Sequence, residues 1–140
     1  MSEIIRFQLE LPAVHRFLNV LSGCLSELLS RVDGIENRDA VVYQLQLAAQ
    51  EVCANIVDHA YEGRTGERLT VGIEVDEASG WLRATFVDTG RAFDPRSAPD
   101  AIDEPSDGGM GLFLIEQLVD QVEYRRESDR NLWIITKTLV

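Results

Sequence analysis

The sequence predicts an α+β domain, a two-layer α/β sandwich in which a mixed, mostly antiparallel sheet carries helices on one face. Two observations predict it. One strand pattern and two long helical patterns come first, and two β-hairpins follow, separated by a long irregular segment and a short helix. Hairpins join antiparallel neighbours, and strands do not alternate regularly with helices, which excludes a doubly wound parallel sheet.

Length and charge limit the classes of function. The 140 residues suit one domain, expected to span 1–140, and the net charge of −11 makes a general nucleic-acid partner improbable because such a surface repels phosphate. No apolar run reaches the ~20 residues that span a bilayer, and the N-terminus does not resemble a secretory signal. Cys24 and Cys53 are interpreted as buried apolar residues. We therefore expect a cytoplasmic protein with no membrane contact.

The first half of the chain reads as strand, helix, helix. Alternation from Ile5 to Leu11 predicts a strand, which Pro12 ends. A helix from Ala13 to about Arg31 follows, and a second begins at Asp39 as N-cap and runs to about Tyr61. Their core stripes are Val14, Leu18, Leu21, Leu25 and Leu28 in the first helix, and Val41, Leu45, Ala48, Val52 and Ile56 in the second. Phe17, Val20 and Cys24 form another apolar stripe beside the first, which indicates a contact beyond the core.

The second half reads as hairpin, irregular segment, helix, hairpin. The first hairpin joins Leu69–Val75 to Trp81–Asp88 through Ser79 and Gly80. The segment from Gly90 to Gly111 has no period, and so long a segment in a compact domain is typical of lids and binding loops. After this segment we predict a helix over Leu112–Val119, a strand over Val122–Arg126, a turn over 128–131 and a last strand over Leu132–Leu139.

Three short segments carry possible chemistry. In the second helix, Glu51, Asn55 and Asp58 share one stripe beside the core stripe, at i, i+4 and i+7. Asp88 ends an apolar strand with Gly90 two residues later, which suits a turn that holds a buried carboxylate against donors such as an adenine amino group. Gly108, Gly109 and Gly111 lead into an apolar helix, where free backbone N–H groups can bind phosphate. Taken singly, these segments also fit a solvated helix face, an ordinary turn and a flexible loop end.

Together, in this order and spacing, the segments resemble the histidine-kinase-like ATPase superfamily over nearly the whole chain. Glu51–Asn55 looks like its N box, Asp88–Gly90 like its first glycine box, and Gly109–Gly111 like its second. The likeness is closest to the anti-sigma-factor serine kinases. It rests on the runs NIVDHAY, DTGRAFDP and GGMGLFLIEQLVDQVEY, on the ending ITKTL, and on a short chain without sensor or dimerisation regions.

The resemblance implies the histidine-kinase-like ATPase fold, ATP or ADP with Mg²⁺ as cofactors, and a lid at about 91–109. It implies that Glu51 is the general base, that Asn55 ligates Mg²⁺, and that Asp88 accepts from the adenine amino group. Gly90 would let the adenine pocket close, and His59 and Tyr61 match the family run without an assigned role. The implied nucleotide-binding residues are Asn55, Asp58, Asp88, Gly90, Ala92, Phe93, Gly108, Gly109, Met110, Gly111 and Leu112.

The implied function is that of an anti-sigma factor that phosphorylates a serine on an anti-anti-sigma protein of the STAS type and so regulates transcription by partner switching. A sigma factor or another regulator is the other implied partner, and a homodimer is expected through Phe17, Val20 and Cys24. Two departures concern the phosphates. Ala92 replaces a second glycine of the first box, and Asp107 stands where some relatives carry a cation.

The lid segment is acidic throughout, which leaves a second function open. Its acidic residues are Asp94, Asp100, Asp103, Glu104 and Asp107, and Arg91 and Arg96 are the candidates to offset their repulsion of phosphate. The alternative is a nucleotide-dependent binding module without phosphotransfer, while Glu51 favours the kinase. A catalytic domain cut from a sensor histidine kinase is not expected, because no phosphoacceptor-helix region precedes the first strand and His15 is a poor phosphoacceptor candidate.

Overall fold

The computed structural model describes residues 3–93 and 107–140, with the backbone alone described at 107–111. In chain order the elements are β1 (Ile4–Pro12), a 3-10 turn (His15–Phe17), α1 (Leu18–Leu29), α2 (Arg38–Asn55), a π turn (Ile56–Ala60), β2 (Arg68–Asp76), β3 (Trp81–Asp88), α3 (Asp107–Leu118), β4 (Gln121–Glu127) and β5 (Arg130–Thr138). The predicted order of strands and helices is confirmed.

The five strands form one sheet in the order β1-β2-β3-β5-β4, and every pairing among them is antiparallel. The sequence-based expectation of a mixed sheet was wrong in this respect. The physical reason is that β2–β3 and β4–β5 are hairpins, while the two helices between β1 and β2 return the chain to the end of the sheet that it left. One consequence matters for the site: Asp88, the last residue of β3, lies opposite Asn131 of β5.

The core lies between one face of the sheet and the three helices. Along β2, Leu69, Val71, Ile73 and Val75 are fully buried, while Thr70 and Glu74 on the other face are partly exposed. Leucines of α1, the predicted stripe of α2, and Ile115 of α3 complete the core. Helix α2 packs against both α1 and α3. It is therefore the central helix, and its C-terminal end faces the sites described below.

Several predicted boundaries shift for local reasons. The first helix starts at Leu18 and not at Ala13, because Val14 is extended and the Ala13 N–H donates to the Glu67 carbonyl (2.9 Å), which continues the β1–β2 pairing. Asp39 is not the N-cap of α2. The helix begins at Arg38, and the residue before it, Asn37, is the N-cap. Asn37 has a left-handed backbone conformation (φ 52°), and its side chain makes no capping hydrogen bond.

Two further features concern the helices. Helix α3 starts at Asp107, so Gly108, Gly109 and Gly111 lie inside its first turns and do not precede it as predicted. The end of the long predicted helix is a π turn, which the apolar periodicity does not indicate. No helix in the ranges 3–93 and 107–140 is long and apolar enough to cross a membrane.

Candidate nucleotide-binding site

The carboxylate of Asp88 is the most buried acidic group near the predicted site, with 1% of its surface exposed. Its Oδ1 atom accepts from the Gly90 backbone N–H and from the Asn131 amide, both at 2.8 Å. Its Oδ2 atom is buried and has no hydrogen-bond partner within the described residues. A buried acceptor of this kind costs free energy unless a ligand supplies a donor. The turn after β3 thus presents one open carboxylate oxygen.

Burial raises the pKa of the Asp88 carboxyl above its ordinary range. The hydrogen bonds from Asn131 and Gly90 and the positive charge of Arg126 oppose this effect and lower the pKa in part. Desolvation dominates because the group is enclosed by β3, β5 and its own turn. The folded protein therefore holds this carboxyl in an environment that suits a hydrogen bond to a neutral donor.

A network of side chains from β4 and β5 fixes the position of Asp88. The Asn131 amide oxygen accepts from the Tyr124 hydroxyl and from the Arg126 guanidinium (3.0 Å), which orients its amide nitrogen toward Asp88. The same nitrogen donates to the Arg91 carbonyl (2.9 Å), and Arg126 donates to the Gly90 carbonyl (2.8 Å). The turn after β3 is thus held from the neighbouring hairpin.

The turn after β3, together with the residues of β4 and β5 that hold it, forms the first wall of the candidate site. An aromatic cluster extends this wall. Phe93 packs edge-on against Tyr124 and Trp133 with ring centroids 5.5 and 5.0 Å away. The Phe93 N–H also donates to the Tyr124 hydroxyl over 2.8 Å. Phe93 is partly buried and Ala92 is exposed, so of these two predicted residues it is Phe93 that is fixed in the wall.

The second wall is the C-terminal end of α2. Asn55 is its last residue and is 4% exposed, with its Nδ2 atom buried and unpaired within the described part of the chain. The view of this residue as lying outside the core was therefore wrong: it is a buried polar group on the core side of the stripe. Glu51, one turn earlier, is partly buried.

The two walls are bound to each other at the π turn. A Cβ atom at Gly90 would lie 2.4 Å from the Ala60 carbonyl oxygen, a distance that real Cβ atoms do not adopt. The Arg91 N–H donates to the same oxygen over 2.7 Å. The Tyr61 hydroxyl accepts from the Thr89 N–H (2.9 Å) and donates to the Arg68 carbonyl (2.6 Å). Gly90 is thus required by close backbone contact between the Asp88 turn and the end of α2.

Comparison with known proteins agrees with this geometry. The family model of the histidine kinase-like ATPase domain matches residues 12–137. The chain belongs to this family. Its similar relatives include the serine-protein kinase RsbW of Bacillus subtilis (strain 168), 30% identical over 135 residues, with 86% of this chain and 78% of that protein covered.

Further comparisons point the same way. The serine-protein kinase RsbW of Halalkalibacterium halodurans is 30% identical over 134 residues, with 86% of this chain and 76% of that protein covered. The crystal structure of the RsbU and RsbW domains of Rv1364c from Mycobacterium tuberculosis superposes with a TM-score of 0.70 at 18% identity, covering 96% of this chain and 32% of that chain. At that identity the structural likeness concerns the fold. The chain is thus a histidine kinase-like ATPase that groups with serine-protein kinases.

In this family member, the turn of the second predicted segment packs against the helix end that carries the first. The Asp88–Gly90 segment contacts Ala60, the last residue of the π turn that directly follows the Glu51–Asn55 segment. The glycines of the third segment start α3, which packs against α2. Leu112 is partly buried against the core. The side chains of Asp107 and Met110 lie outside the described residues, as do Asp94, Arg96, Asp100, Asp103 and Glu104.

The side chains of Asp58 and Arg91 do not contact Asp88 or Asn55 but form ion pairs elsewhere. The Asp58 Oδ1 lies 2.7 Å from the His15 Nε2, and both side chains are well exposed. The Arg91 guanidinium lies 3.4 Å from the Glu62 carboxylate at the surface. An exposed ion pair of this kind contributes little to stability, so Arg91 could turn toward a ligand at small cost.

The described residues do not contain a ready-made metal cage. No three His, Cys, Asp or Glu side chains come together among residues 3–93 and 107–140. Mg²⁺ does not need such a group, because it keeps several waters and is usually bound by one or two protein ligands together with substrate phosphates. The Asn55 amide offers one oxygen to a metal and two N–H donors to phosphate, and the nitrogen that carries both donors has no partner in the described chain. These residues fit Mg²⁺ that arrives with a nucleotide.

Sequence reasoning missed the residues that position Asp88. Asn131 was interpreted as part of a turn, and Tyr124 and Arg126 as ordinary strand residues, yet all three hold the Asp88 turn. The signal would have been a polar residue near the start of a strand, directly opposite a buried carboxylate. Such a residue can be recognised only when the register of β3 and β5 is known. The role of the Tyr61 hydroxyl required the path of the chain after α2 in the same way.

Proposed function

We propose that this chain is an ATP-dependent anti-sigma factor with serine kinase activity. It phosphorylates a serine on an anti-anti-sigma protein and regulates transcription by partner switching. The membership in the histidine kinase-like ATPase family and the relatives named serine-protein kinase support the class of reaction. The substrate class and the sigma-factor partner are part of the proposal.

The observation that carries the proposal is a pair of unpaired buried polar atoms, one on the turn after β3 and one at the end of α2, two segments that touch where Gly90 meets Ala60. The Asp88 Oδ2 atom needs a donor and the Asn55 Nδ2 atom needs an acceptor. An adenine amino group and a phosphate oxygen are such a donor and acceptor, and they lie at opposite ends of one molecule of ATP. Both ends thus find a partner that the apo protein lacks within its described residues.

Glu51 supports the chemical step, since it lies one helical turn before Asn55 and therefore near the phosphate end of the nucleotide. Its carboxylate accepts the proton of the substrate serine hydroxyl. The serine oxygen forms a bond to the γ-phosphorus while the bond from that phosphorus to the bridging oxygen of ADP breaks, which yields phosphoserine and ADP. Asn55 would hold Mg²⁺ that arrives with the nucleotide, and the metal would supply positive charge to offset the charge that develops during transfer. The protein contributes mainly position, as phosphoryl transfer requires.

Replacement of Glu51 by Gln tests the kinase function. The amide keeps the shape but cannot take a proton, so transfer from radiolabelled ATP to the anti-anti-sigma proteins encoded by neighbouring genes should slow by roughly 10²–10⁴-fold. ADP affinity, measured by calorimetry, should not change because ADP offers no proton to this base. Glu123→Gln, the same change at an exposed position of β4, is the control and should transfer at the wild-type rate.

The same experiment separates the second candidate function. The acidic composition of the segment from Asp94 to Asp107 favours a nucleotide-dependent binding module without phosphotransfer. If the wild type binds ATP and a sigma factor but phosphorylates none of the candidate substrates, the binding-module function holds. Equal transfer by the wild type and the Glu51→Gln variant would instead remove Glu51 from the role of base.

The proposal includes a homodimer and a cytoplasmic location, where ATP and sigma factors occur. On α1, Val20 is 52% exposed, and Phe17 and Cys24 beside it are partly exposed, so this stripe leaves apolar area uncovered within the described chain. Sedimentation should give a dimer at micromolar concentration, and Val20→Arg should shift it to a monomer. A wild-type monomer would leave the stripe for a regulatory partner.

A further inference from the structure

Lys137 is the one lysine of the chain, and it lies on β5 beside the C-terminal end of α3. Its Nζ atom donates to the backbone carbonyl of Leu118, the last residue of α3, over 2.9 Å. The side chain is partly buried, on the same face of the sheet as the core residues Trp133 and Ile135. The end of α3 therefore receives a positive charge from a strand of the sheet.

Helix α3 has no basic residue of its own in its last turn. That turn instead carries Glu116, which is exposed. The last carbonyl groups of a helix have no partner within the helix and give its C-terminal end a partial negative charge. A cation that donates to one of them stabilises the helix end, whereas a carboxylate there does not. Lys137 thus supplies a contact that the sequence of α3 lacks.

Two more bonds hold the same end of α3 to β5. Asp120, in the turn that follows the helix, donates its N–H to the Thr136 carbonyl over 3.0 Å, and its carboxylate accepts from the Thr138 N–H over 2.5 Å. Thr136 and Thr138 flank Lys137 in the strand. Three consecutive residues of β5 therefore fasten the C-terminal end of α3 and the turn after it.

The opposite end of α3 begins with Gly108, Gly109 and Gly111, where free backbone N–H groups can bind phosphate. The helix has 12 residues, so its two ends are about 18 Å apart. A change in the direction of a helix that is fastened at one end displaces the other end most. The residues of β5 that hold the end of α3 thus help to set where its first N–H groups point.

We propose that Lys137 is a positioning residue for the phosphates of the bound nucleotide and that it acts through α3. This inference rests on the proposed nucleotide binding, with the phosphates at the start of α3. The Lys137 ammonium group lies at the far end of the helix, so it touches no reacting atom. By holding the Leu118 carbonyl it fixes the direction in which the first turn of α3 presents its N–H groups. The affinity for the phosphates depends on that direction.

Replacement of Lys137 by Met removes the charge and the donor but keeps a long, unbranched side chain. The affinity for ADP, measured by calorimetry, should fall about twofold to fivefold, which is the size of effect expected for one charge at a helix end. The affinity for adenosine should not change, because adenosine has no phosphate and is bound through Asp88 in the proposed site. A general loss of stability would not separate the two ligands in this way.

Two further variants serve as rescue and control. Lys137→Arg keeps a positive charge and hydrogen-bond donors, so it should restore most of the affinity for ADP. Arg31→Met removes an exposed cation, paired with Glu27, from the end of α1, which leads to no proposed phosphate contact. This control should bind ADP and adenosine like the wild type.

The outcomes keep the inference apart from the proposed function. A Lys137→Met variant that keeps the wild-type affinity for ADP, or that loses affinity for ADP and adenosine alike, would overturn the role of Lys137 alone. Wild-type protein that binds no ADP would overturn the proposed function instead.

A chemical test on the folded wild type decides the question if Lys137→Met does not fold. Because the chain has one lysine, amine acetylation neutralises only Lys137 and the N-terminal amine, whereas reductive dimethylation of the same two groups preserves their charge. The acetylated protein should bind ADP more weakly than the dimethylated protein, with no such difference for adenosine. Equal affinities of the two modified proteins for ADP would overturn the inference.

Discussion

Asn131 lies directly opposite Asp88 in the antiparallel register of β3 and β5, and its amide donates to the Asp88 Oδ1 atom over 2.8 Å. This bond occupies one carboxylate oxygen and leaves Oδ2 for a ligand. Because Tyr124 and Arg126 donate to the Asn131 oxygen, the amide cannot turn over without the loss of both bonds. Asn131 is therefore a positioning residue, which acts on the nucleotide through Asp88.

Replacement of Asn131 by Ala should lower both stability and adenine selectivity. Loss of the amide leaves Asp88, Tyr124 and Arg126 short of partners, so unfolding should be easier by about 1–3 kcal/mol. ADP should bind roughly tenfold more weakly in calorimetry, and the preference for ATP over GTP should fall because Asp88 is no longer fixed against the adenine amino group. Asp129→Ala, in the exposed turn that joins β4 to β5, is the control. A variant that only unfolds more easily and keeps its selectivity would make Asn131 purely structural.

Asp88→Asn should weaken nucleotide binding and yet stabilise the apo protein at neutral pH. Because burial raises the folded pKa of Asp88 above its unfolded value, the contribution of this group to wild-type stability is present at acid pH and is lost as the pH rises through the folded pKa. The variant is neutral at every pH. When the melting temperatures of both proteins are measured between about pH 3 and pH 7, the melting temperature of the variant should therefore rise relative to that of the wild type as the pH increases. The other carboxylates titrate in both proteins and cancel.

The binding arm of the same variant has the opposite sign. Asparagine can keep an acceptor toward Asn131 and Gly90, but its amide nitrogen then replaces Oδ2 and meets the adenine amino group donor to donor. ADP affinity should fall roughly tenfold to a hundredfold. Unchanged affinity would count against the placement of adenine at Asp88, whatever the stability shows.

The fold was predictable because its elements follow simple periods. The period of two in β2 and the spacing of three and four in α2 depend only on which residues face the core, and the structure buries those residues. The sites were partly predictable, since the Asp88–Gly90 turn and the polar stripe of α2 are local in sequence. What brings them together is not local. The close contact of Gly90 with Ala60 depends on how β3 ends against α2.

The parts that could not be predicted depend on register or on helix geometry. Asn131 reaches Asp88 only because residue 131 pairs with residue 88, and no periodicity in either strand sets that offset. The π turn has no signal in the apolar pattern. An ideal helix would place Asp58 on the stripe of Glu51 and Asn55, whereas the π turn rotates the helix so that His59 lies closer to that stripe. The left-handed conformation of Asn37 likewise has no signal in the pattern, and it is why the N-cap of α2 is Asn37 and not the predicted Asp39.

Asn55→Ala should abolish the effect of Mg²⁺ on nucleotide binding with little effect on the fold. The wild-type amide is buried with an unpaired donor, so its removal relieves one cost while leaving a small cavity, and the free energy of unfolding without ligand should change by no more than about 1 kcal/mol. Calorimetry with ADP, with and without Mg²⁺, should show a strong dependence on the metal in the wild type and none in the variant. A variant that unfolds easily but keeps this dependence would make Asn55 structural.

Gly90→Ala should damage nucleotide binding through the backbone, although the new methyl group carries no polar atom. Its Cβ would meet the Ala60 carbonyl oxygen at 2.4 Å, and this oxygen also accepts from the Arg91 N–H, so the Asp88 turn must move away from the end of α2. Overpacking of this kind costs about 1–3 kcal/mol, and the displaced Asp88 should bind ADP more weakly. The matched control is Gly23→Ala in α1, where a Cβ meets nothing within 4 Å. That change should raise the free energy of unfolding by about 0.5–1 kcal/mol and leave ADP affinity unchanged, because alanine favours the helix. Equal behaviour of the two variants in chemical unfolding and calorimetry would show that the contact at Ala60 does not constrain the site.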